Sequence, residues 1–340
     1  MRSTAMKGAD KVLPGTKLKG KWHGNEYTVI KSLGKGANGS VYLVQSKNGL
    51  AALKLSDNSM SITSEVNVLK HFSKVQGKSL GPHLYDTDDW ELKSGSPALS
   101  FYVMEYIKGV PFLEFIRARG AEWVPVLLLQ LLGSLSNLHD AGWVFGDLKP
   151  ENLIVTDSPV TVKIIDVGGT TGIGRSIKEY TEFFDRGYWG MGSRKADPGY
   201  DLFAAAMIAI NAGVGERFTK DSGGGEKLLF DKIESVPLLR KQKPVLEKAL
   251  TGKYSGAAEM KKDLLSCLAK PAEKENSRKS ASVPKQTHSA ASQTRTKKKK
   301  KTVSKSRRSN AYSSGWMDTF IVVSGVFILY ALYIFHFLLP

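Results

Sequence analysis

The chain is poor in cysteine: Cys267 stands alone among 340 residues. An intramolecular disulfide is therefore excluded, and the fold must be held by burial and hydrogen bonding. Cys267 follows Leu264 and Leu265 in an apolar-periodic stretch and reads as a buried structural thiol rather than a reactive one. Met1–Leu13 lacks an apolar core segment, so it does not read as a secretion signal. Acidic residues are scarce, 32 against 49 Lys and Arg, for a formal net charge of +17. The imbalance is local. Residues 271–310 carry 13 basic and 2 acidic groups, net +11, whereas residues 1–270 are net +7 and residues 311–340 contain only Asp318, net −1. From 271 to 315 large apolar side chains are nearly absent, so this stretch cannot offset the entropy of ordering and reads as a disordered basic linker. No internal repeat is visible.

What is present upstream is a globular composition, 41% hydrophobic. Tyr27-Thr-Val-Ile30, Val41-Tyr-Leu-Val44 and Leu50–Leu55 are short β-prone runs, the last two joined by an Asn48-Gly49 turn that reads as a hairpin. Ser61–Phe72 carries Ile62, Val66, Leu69 and Phe72 at helical spacing, and Phe101–Met104 is a further buried strand. Pro125–His139 then places Leu128, Leu131, Leu132, Leu135 and Leu138 on one helical face. Short strands follow at Leu153–Val155 and Val162–Ile165. Helices resume at Tyr200–Ala212 and run with breaks to about Lys270. The expectation is an α+β fold with a β-rich first part holding one helix and a mainly helical second part.

Four motifs carry chemistry. Gly34-Lys-Gly36-Ala-Asn-Gly39-Ser-Val41 lets a hairpin backbone close over phosphates without Cβ clashes; a strand follows it rather than a helix, which argues against a dinucleotide fold. Lys54, centred in the apolar run Ala51-Ala-Leu-Lys54, needs an anionic partner, and Glu65 on the next helix can supply it while the ammonium holds the α- and β-phosphates. In Asp147-Leu-Lys-Pro-Glu-Asn152, Asp147 suits proton acceptance from a substrate hydroxyl, Lys149 neutralisation of the moving phosphoryl group, and Asn152 a Mg2+ ligand. Asp166, in Ile164-Ile-Asp-Val-Gly168, is a second Mg2+ ligand. Any one of these strings is weak evidence; the four in this order are not.

On these residues the chain resembles the eukaryotic-type (Hanks) serine/threonine protein kinases over roughly residues 14–270. That resemblance implies a bilobal kinase fold with an N-lobe at 26–107 and a C-lobe at 108–270, after a lead-in at 1–25. It implies ATP with Mg2+ (or Mn2+) as cofactors and protein Ser/Thr hydroxyls as substrates. It also implies Met104 as gatekeeper, the backbone of Glu105 and Ile107 as adenine contacts, and Asp201 as a brace for the catalytic loop. Three departures stand out. Phe145-Gly146-Asp147 lacks the arginine that commonly precedes the catalytic aspartate, Val167 replaces an aromatic, and Tyr180–Trp189 stands where an Ala-Pro-Glu would be. They put phosphorylation-switched activation in doubt and leave the ATP and metal ligands untouched. Phe-Gly-Asp also resembles small-molecule kinases of the aminoglycoside type, the runner-up enzyme; a pseudokinase scaffold is the non-enzyme alternative.

Phe320–Leu339 is a run of 20 mostly apolar residues without a formal charge, long enough at about 1.5 Å per residue to cross a hydrocarbon core, and Trp316 suits the interface. Residues 316–339 are thus expected to form one transmembrane helix, with the kinase domain cytoplasmic, the C-terminus outside, no external sensor domain, and a similarity to the membrane-bound kinases of spore-forming bacilli. The basic cluster before it, Lys297, Lys298, Lys299, Lys300, Lys301, Lys305, Arg307 and Arg308, has three readings: a topology signal, a site for anionic lipid, or a site for nucleic acid phosphates. No aromatic residue interleaves it, so nothing suggests base reading. A polyanion gathering several chains would favour self-association and autophosphorylation in trans.

Overall fold

The computed structural model describes residues 12–36, 38–72, 81–92, 95–220 and 224–269. All of them lie in the first of two units into which the chain divides, residues 1–274. The linker 271–315 and the apolar segment 316–339 fall outside the described residues. Among the described residues, no helix is long and apolar enough to cross a membrane.

The first lobe is an antiparallel sheet in the order β1-β2-β3-β4-β6-β5. Its strands are β1 (Lys17–Lys19), β2 (Glu26–Gly36), β3 (Gly39–Ser46), β4 (Gly49–Ser56), β5 (Leu84–Trp90) and β6 (Leu99–Glu105). The hairpin read from Asn48-Gly49 is present, shifted by one residue. Lys47 and Asn48 form the turn, and Gly49 opens β4 at φ +111°, opposite Ser46. The lead-in drawn at 1–25 contributes a strand, because Leu18 is fully buried and pairs with Tyr27.

β4 is buried on both faces, and strand alternation sorts its side chains. Ala51, Leu53 and Leu55 join Phe101 and Val103 of β6 in one apolar cluster. Ala52, Tyr102 and Met104 face the other way, into a second cluster shared with α1 (Ser59–Phe72). Lys54 belongs to this second face and lies opposite Tyr102 in the β4–β6 register. On α1 the expected Ile62, Val66, Leu69 and Phe72 are buried, together with Val68 and Glu65. The helix starts two residues earlier than its apolar pattern suggested, and Asn58 Oδ1 accepts the Ser61 N–H at 3.1 Å.

The second lobe begins with β7 (Val110–Pro111) and α2 (Phe112–Arg119) and is built around α3 (Trp123–Asp140) and α5 (Pro198–Val214). The five leucines picked out on α3 are buried, each transfer from water contributing about 1.5–3 kcal/mol. On α5 every residue from Tyr200 to Ala212 is buried. Between these helices lie β8 (Trp143–Val144), β9 (Leu153–Asp157), β10 (Val160–Ile164), β11 (Thr171–Gly172) and the short α4 (Arg186–Trp189). β9 pairs with β10 and with β7, holding the residues around Asn152 and Asp166 side by side. The helices α6 (Gly225–Ser235), α7 (Pro237–Lys241), α8 (Lys243–Leu250) and α9 (Ala257–Ala269) complete the lobe. Cys267 departs from expectation: it is only half-buried, because Leu265 and Leu268 of the same helix face solvent, and its thiol reaches the Lys241 carbonyl at 2.7 Å.

Candidate active site

The second face of β4 brings Lys54 to Glu65. Lys54 Nζ lies 2.6 Å from Glu65 Oε2 and 3.4 Å from Asp166 Oδ1, with Lys54 and Glu65 both buried. Burial alone would favour loss of the Lys54 proton, but the Asp166 and Glu65 carboxylates outweigh it and hold the pKa above its ordinary value. Glu65 is aimed by two hydroxyls, Tyr102 donating to Oε2 at 2.8 Å and Ser61 to Oε1 at 3.1 Å. Burial, followed by the Glu65 charge, pushes the Tyr102 phenol well up, so it stays a donor. These two orienting residues were not singled out in the sequence; Tyr102 carried a faint signal, being a polar-tipped residue on the face that alternation assigns to Lys54.

The loop after β8 holds Asp147. Asp201, in the first turn of α5 and fully buried, accepts the backbone N–H of Phe145 at 2.8 Å and of Gly146 at 2.9 Å, and pairs with His139 Nε2 at 2.9 Å. The brace expected of Asp201 is therefore a pair of backbone hydrogen bonds to the residues preceding Asp147. Gly146 occupies the position of the missing arginine at φ +84°, and a Cβ there would stand 2.8 Å from the Gly169 carbonyl oxygen. The departure is built into the backbone, since a side chain would be strained by both conformation and contact.

Lys149 Nζ lies 2.5 Å from Asp147 Oδ2, and Thr181 bridges the two by donating to Asp147 Oδ1 at 3.2 Å and accepting from Lys149 at 3.2 Å. Asn152 Nδ2 donates to the Asp147 carbonyl at 2.8 Å, leaving its amide oxygen free of that bond. Thr181 is 34 residues from Asp147, so its contact comes from the fold and not from any local motif.

The residues predicted to bind nucleotide and metal and to act in catalysis, Glu65 apart, converge. Gly34, Gly36, Gly39, Val41, Lys54, Met104, Glu105, Ile107, Asp147, Lys149, Asn152 and Asp166 line one cleft of about 1120 Å³. Glu65 stands behind Lys54. The basic residues 297–308 lie outside the described residues. The cleft also holds Glu179, a carboxylate not foreseen, which accepts a hydrogen bond from Asn38 at the tip of the glycine-rich hairpin. Burial raises the Glu179 pKa; the Asn38 bond opposes this, and the Asp166 and Asp147 charges reinforce it.

A nucleotide and a metal fit these residues. Among the described residues, no atom beyond the chain neighbours lies within 4 Å of a Cβ built on Gly34 or Gly36, so the backbone there has room for a phosphate, whereas a Cβ on Gly39 would meet the Leu55 carbonyl oxygen at 2.6 Å. Asp166 and Asn152 offer only oxygen and amide donors, the set preferred by hard divalent cations.

This is the cleft of a phosphotransferase. A protein kinase domain model matches residues 27–288. The serine/threonine-protein kinase YabT of Bacillus subtilis (strain 168) is 52% identical over 330 residues, 96% of each chain. Serine/threonine-protein kinase D of Synechocystis sp. is 27% identical over 273 residues, covering 73% of this chain and 54% of its own. A crystal structure of the kinase domain of PknI from Mycobacterium tuberculosis shares the fold, with a TM-score of 0.54 at 19% identity, over 76% of this chain and 99% of that one. The chain belongs to the protein kinase family and is a serine/threonine protein kinase of the Hanks type found in bacteria. These relatives do not favour the aminoglycoside-type or scaffold readings.

Proposed function

We propose that Asp147, Lys149, Lys54, Asn152 and Asp166 carry out transfer of the ATP γ-phosphoryl group to Ser and Thr hydroxyls of proteins. The observation that carries this is the meeting of all five in one cleft, with Lys54 locked to Glu65. Lys54 holds the α- and β-phosphates. Asn152 and Asp166 would hold Mg2+, which would supply positive charge against the phosphates. Asp147 orients the acceptor hydroxyl and takes its proton as the new O–P bond forms and ADP leaves, while Lys149 offsets charge on the moving group. Met104, Glu105 and Ile107 form the adenine edge. Purified protein should phosphorylate a generic protein acceptor with Mg-ATP, and Asp147→Asn or Lys54→Ala should remove most of that activity, a loss of about 2.7 kcal/mol or more of transition-state stabilisation for each hundredfold. Undiminished transfer by Asp147→Asn would sink the assignment of the base; transfer to an aminoglycoside and to no protein would favour the runner-up.

The same proposal places the chain at the cell membrane through residues 316–339, with the kinase domain cytoplasmic and the C-terminus outside. The net charge of +11 over residues 271–310 supports binding of DNA or anionic lipid there and autophosphorylation in trans.

A further inference from the structure

We propose that Asn38 and Glu179 form a clamp that closes the glycine-rich hairpin onto the activation segment, which makes Glu179 a positioning residue for the nucleotide phosphates. The inference rests on the kinase reading above and adds to it two residues outside the Lys54, Asp147 and Asp166 machinery.

β2 and β3 pair as far as Gly36 opposite Gly39, so Asn38 lies in the turn itself. The register slips twice along β2, between Val29 and Lys31 and between Ser32 and Gly34, and the last seven residues of β2 are exposed. Gly39 is seated against Leu55, whereas among the described residues nothing beyond the chain neighbours lies within 4 Å of a Cβ on Gly34 or Gly36. Asn38 Nδ2, donating to Glu179 Oε1, is a tie from this tip across the cleft.

The other end of the tie is firm. The chain is anchored both before and after Glu179. Lys178 reaches Ser64 Oγ and the Thr170 carbonyl oxygen, each at 3.3 Å, and Thr181 bonds Asp147 and Lys149. The carboxylate is held in a half-buried place, where a charge-assisted hydrogen bond is stronger than one in water. An exposed, irregularly paired hairpin is thus bonded to an element whose position is set by Asp147, so its closed position is coupled to that of the activation segment. The free-energy consequence falls on the phosphates that the hairpin covers, and hence on ATP affinity more than on the chemical step.

The test is a double-mutant cycle in the full chain with Asn38→Ala, Glu179→Ala and the pair. KM for ATP and kcat are measured on a generic protein acceptor, and Kd for ADP and for a non-hydrolysable ATP analogue with Mg2+ is measured by titration. Each single change should raise KM and the analogue Kd roughly five- to tenfold with kcat changed less than about threefold, and the double should be no worse than the worse single. Glu179→Gln, which keeps the shape and an acceptor oxygen but loses the charge, should give a smaller rise of about two- to fourfold. Thermal midpoints should stay together, because neither residue supports the core. Additive effects, an unchanged nucleotide affinity, or tighter ATP binding in Glu179→Gln would each overturn the clamp, the last by showing that the carboxylate opposes the phosphates. Nucleotide titration does not depend on phosphoryl transfer. A protein without kinase activity would fail the functional reading while the clamp is still judged on binding.

Discussion

Thr181 shows how much a single residue in this site owes to the fold. Its hydroxyl touches both the proposed base and the proposed charge-neutralising lysine. Thr181→Ala should lower kcat by roughly ten- to a hundredfold, or 1.4–2.7 kcal/mol of barrier, with KM for ATP little altered, and Thr181→Ser should restore most of it. Thr170 and Thr171, on the same segment, are each only 1% exposed, and the Thr170 hydroxyl is buried without a partner. Neither is accessible to a kinase in the folded state, so Thr170→Ala and Thr171→Ala should change the rate by less than about tenfold. A loss of several hundredfold from either, without a fall in melting temperature, would show that phosphorylation there matters despite the burial. Gly146 carries the complementary lesson. Introducing arginine at this position, Gly146→Arg, should destabilise the fold by about 1–3 kcal/mol and not create a phosphate-responsive switch, because backbone and the Gly169 carbonyl exclude the side chain.

At the scale of elements, α5 fixes the catalytic loop through one carboxylate. Asp201→Asn keeps the volume but removes the charge that two backbone N–H groups and His139 share, so stability should fall by about 1.5–3 kcal/mol, read by denaturant unfolding, with kcat falling alongside. Unchanged stability would mean that the loop is held otherwise. The last two helices are joined by Lys248 of α8, which lies 2.6 Å from Glu259 and 3.1 Å from Asp263 of α9. The Lys248 hydrogen bond, with the Ser255 N–H and hydroxyl, pulls Glu259 down from 4.5 to about 2. A carboxyl depressed on folding stabilises above its unfolded pKa, so this contribution should be complete above pH 4.5 and vanish as pH falls to about 2. Melting temperatures of wild type and Glu259→Gln should therefore differ at neutral pH and converge at about pH 2. The leucine spacing of α3 made that helix legible in the sequence, and the alternation of β4 did the same for its strand. β1, β5 and α2 were not: β1 is too short for periodicity to register, and Leu84-Tyr-Asp-Thr-Asp-Asp-Trp90 reads as a polar loop until its pairing with β6 supplies the missing partners.

At the scale of the whole molecule, charge is unevenly distributed along the sequence, with net +11 over residues 271–310. On the proposal that these residues bind a polyanion, several chains would gather on one strand and autophosphorylation would rise. DNA should bind residues 271–310 with little sequence preference and with an affinity that falls steeply as salt rises, since each neutralised phosphate releases a counterion. Replacing Lys297–Lys301 by Gln should cut binding in a salt titration while leaving the basal activity of the kinase domain intact. If the Gln protein binds DNA as tightly as wild type, the cluster is not the site. If DNA binds and autophosphorylation never changes, the cluster serves topology or lipid.

The sequence by itself determined the class of fold and the reaction, because the residues proposed to hold phosphate and metal sit in short strings whose spacing is dictated by hairpin and loop geometry. Lys54, Asp147, Asn152 and Asp166 can each be found from their immediate neighbours. Only the tertiary structure decided what orients them: Tyr102 and Ser61 on Glu65, Asp201 on the backbone before Asp147, Thr181 between Asp147 and Lys149, and Glu179 beneath Asn38. Apart from Ser61, one turn from Glu65 on the same helix, these contacts join residues 32 to 141 positions apart, so no local pattern encodes them. Their geometry exists once the two lobes have buried their apolar faces and brought distant segments within a hydrogen bond's reach.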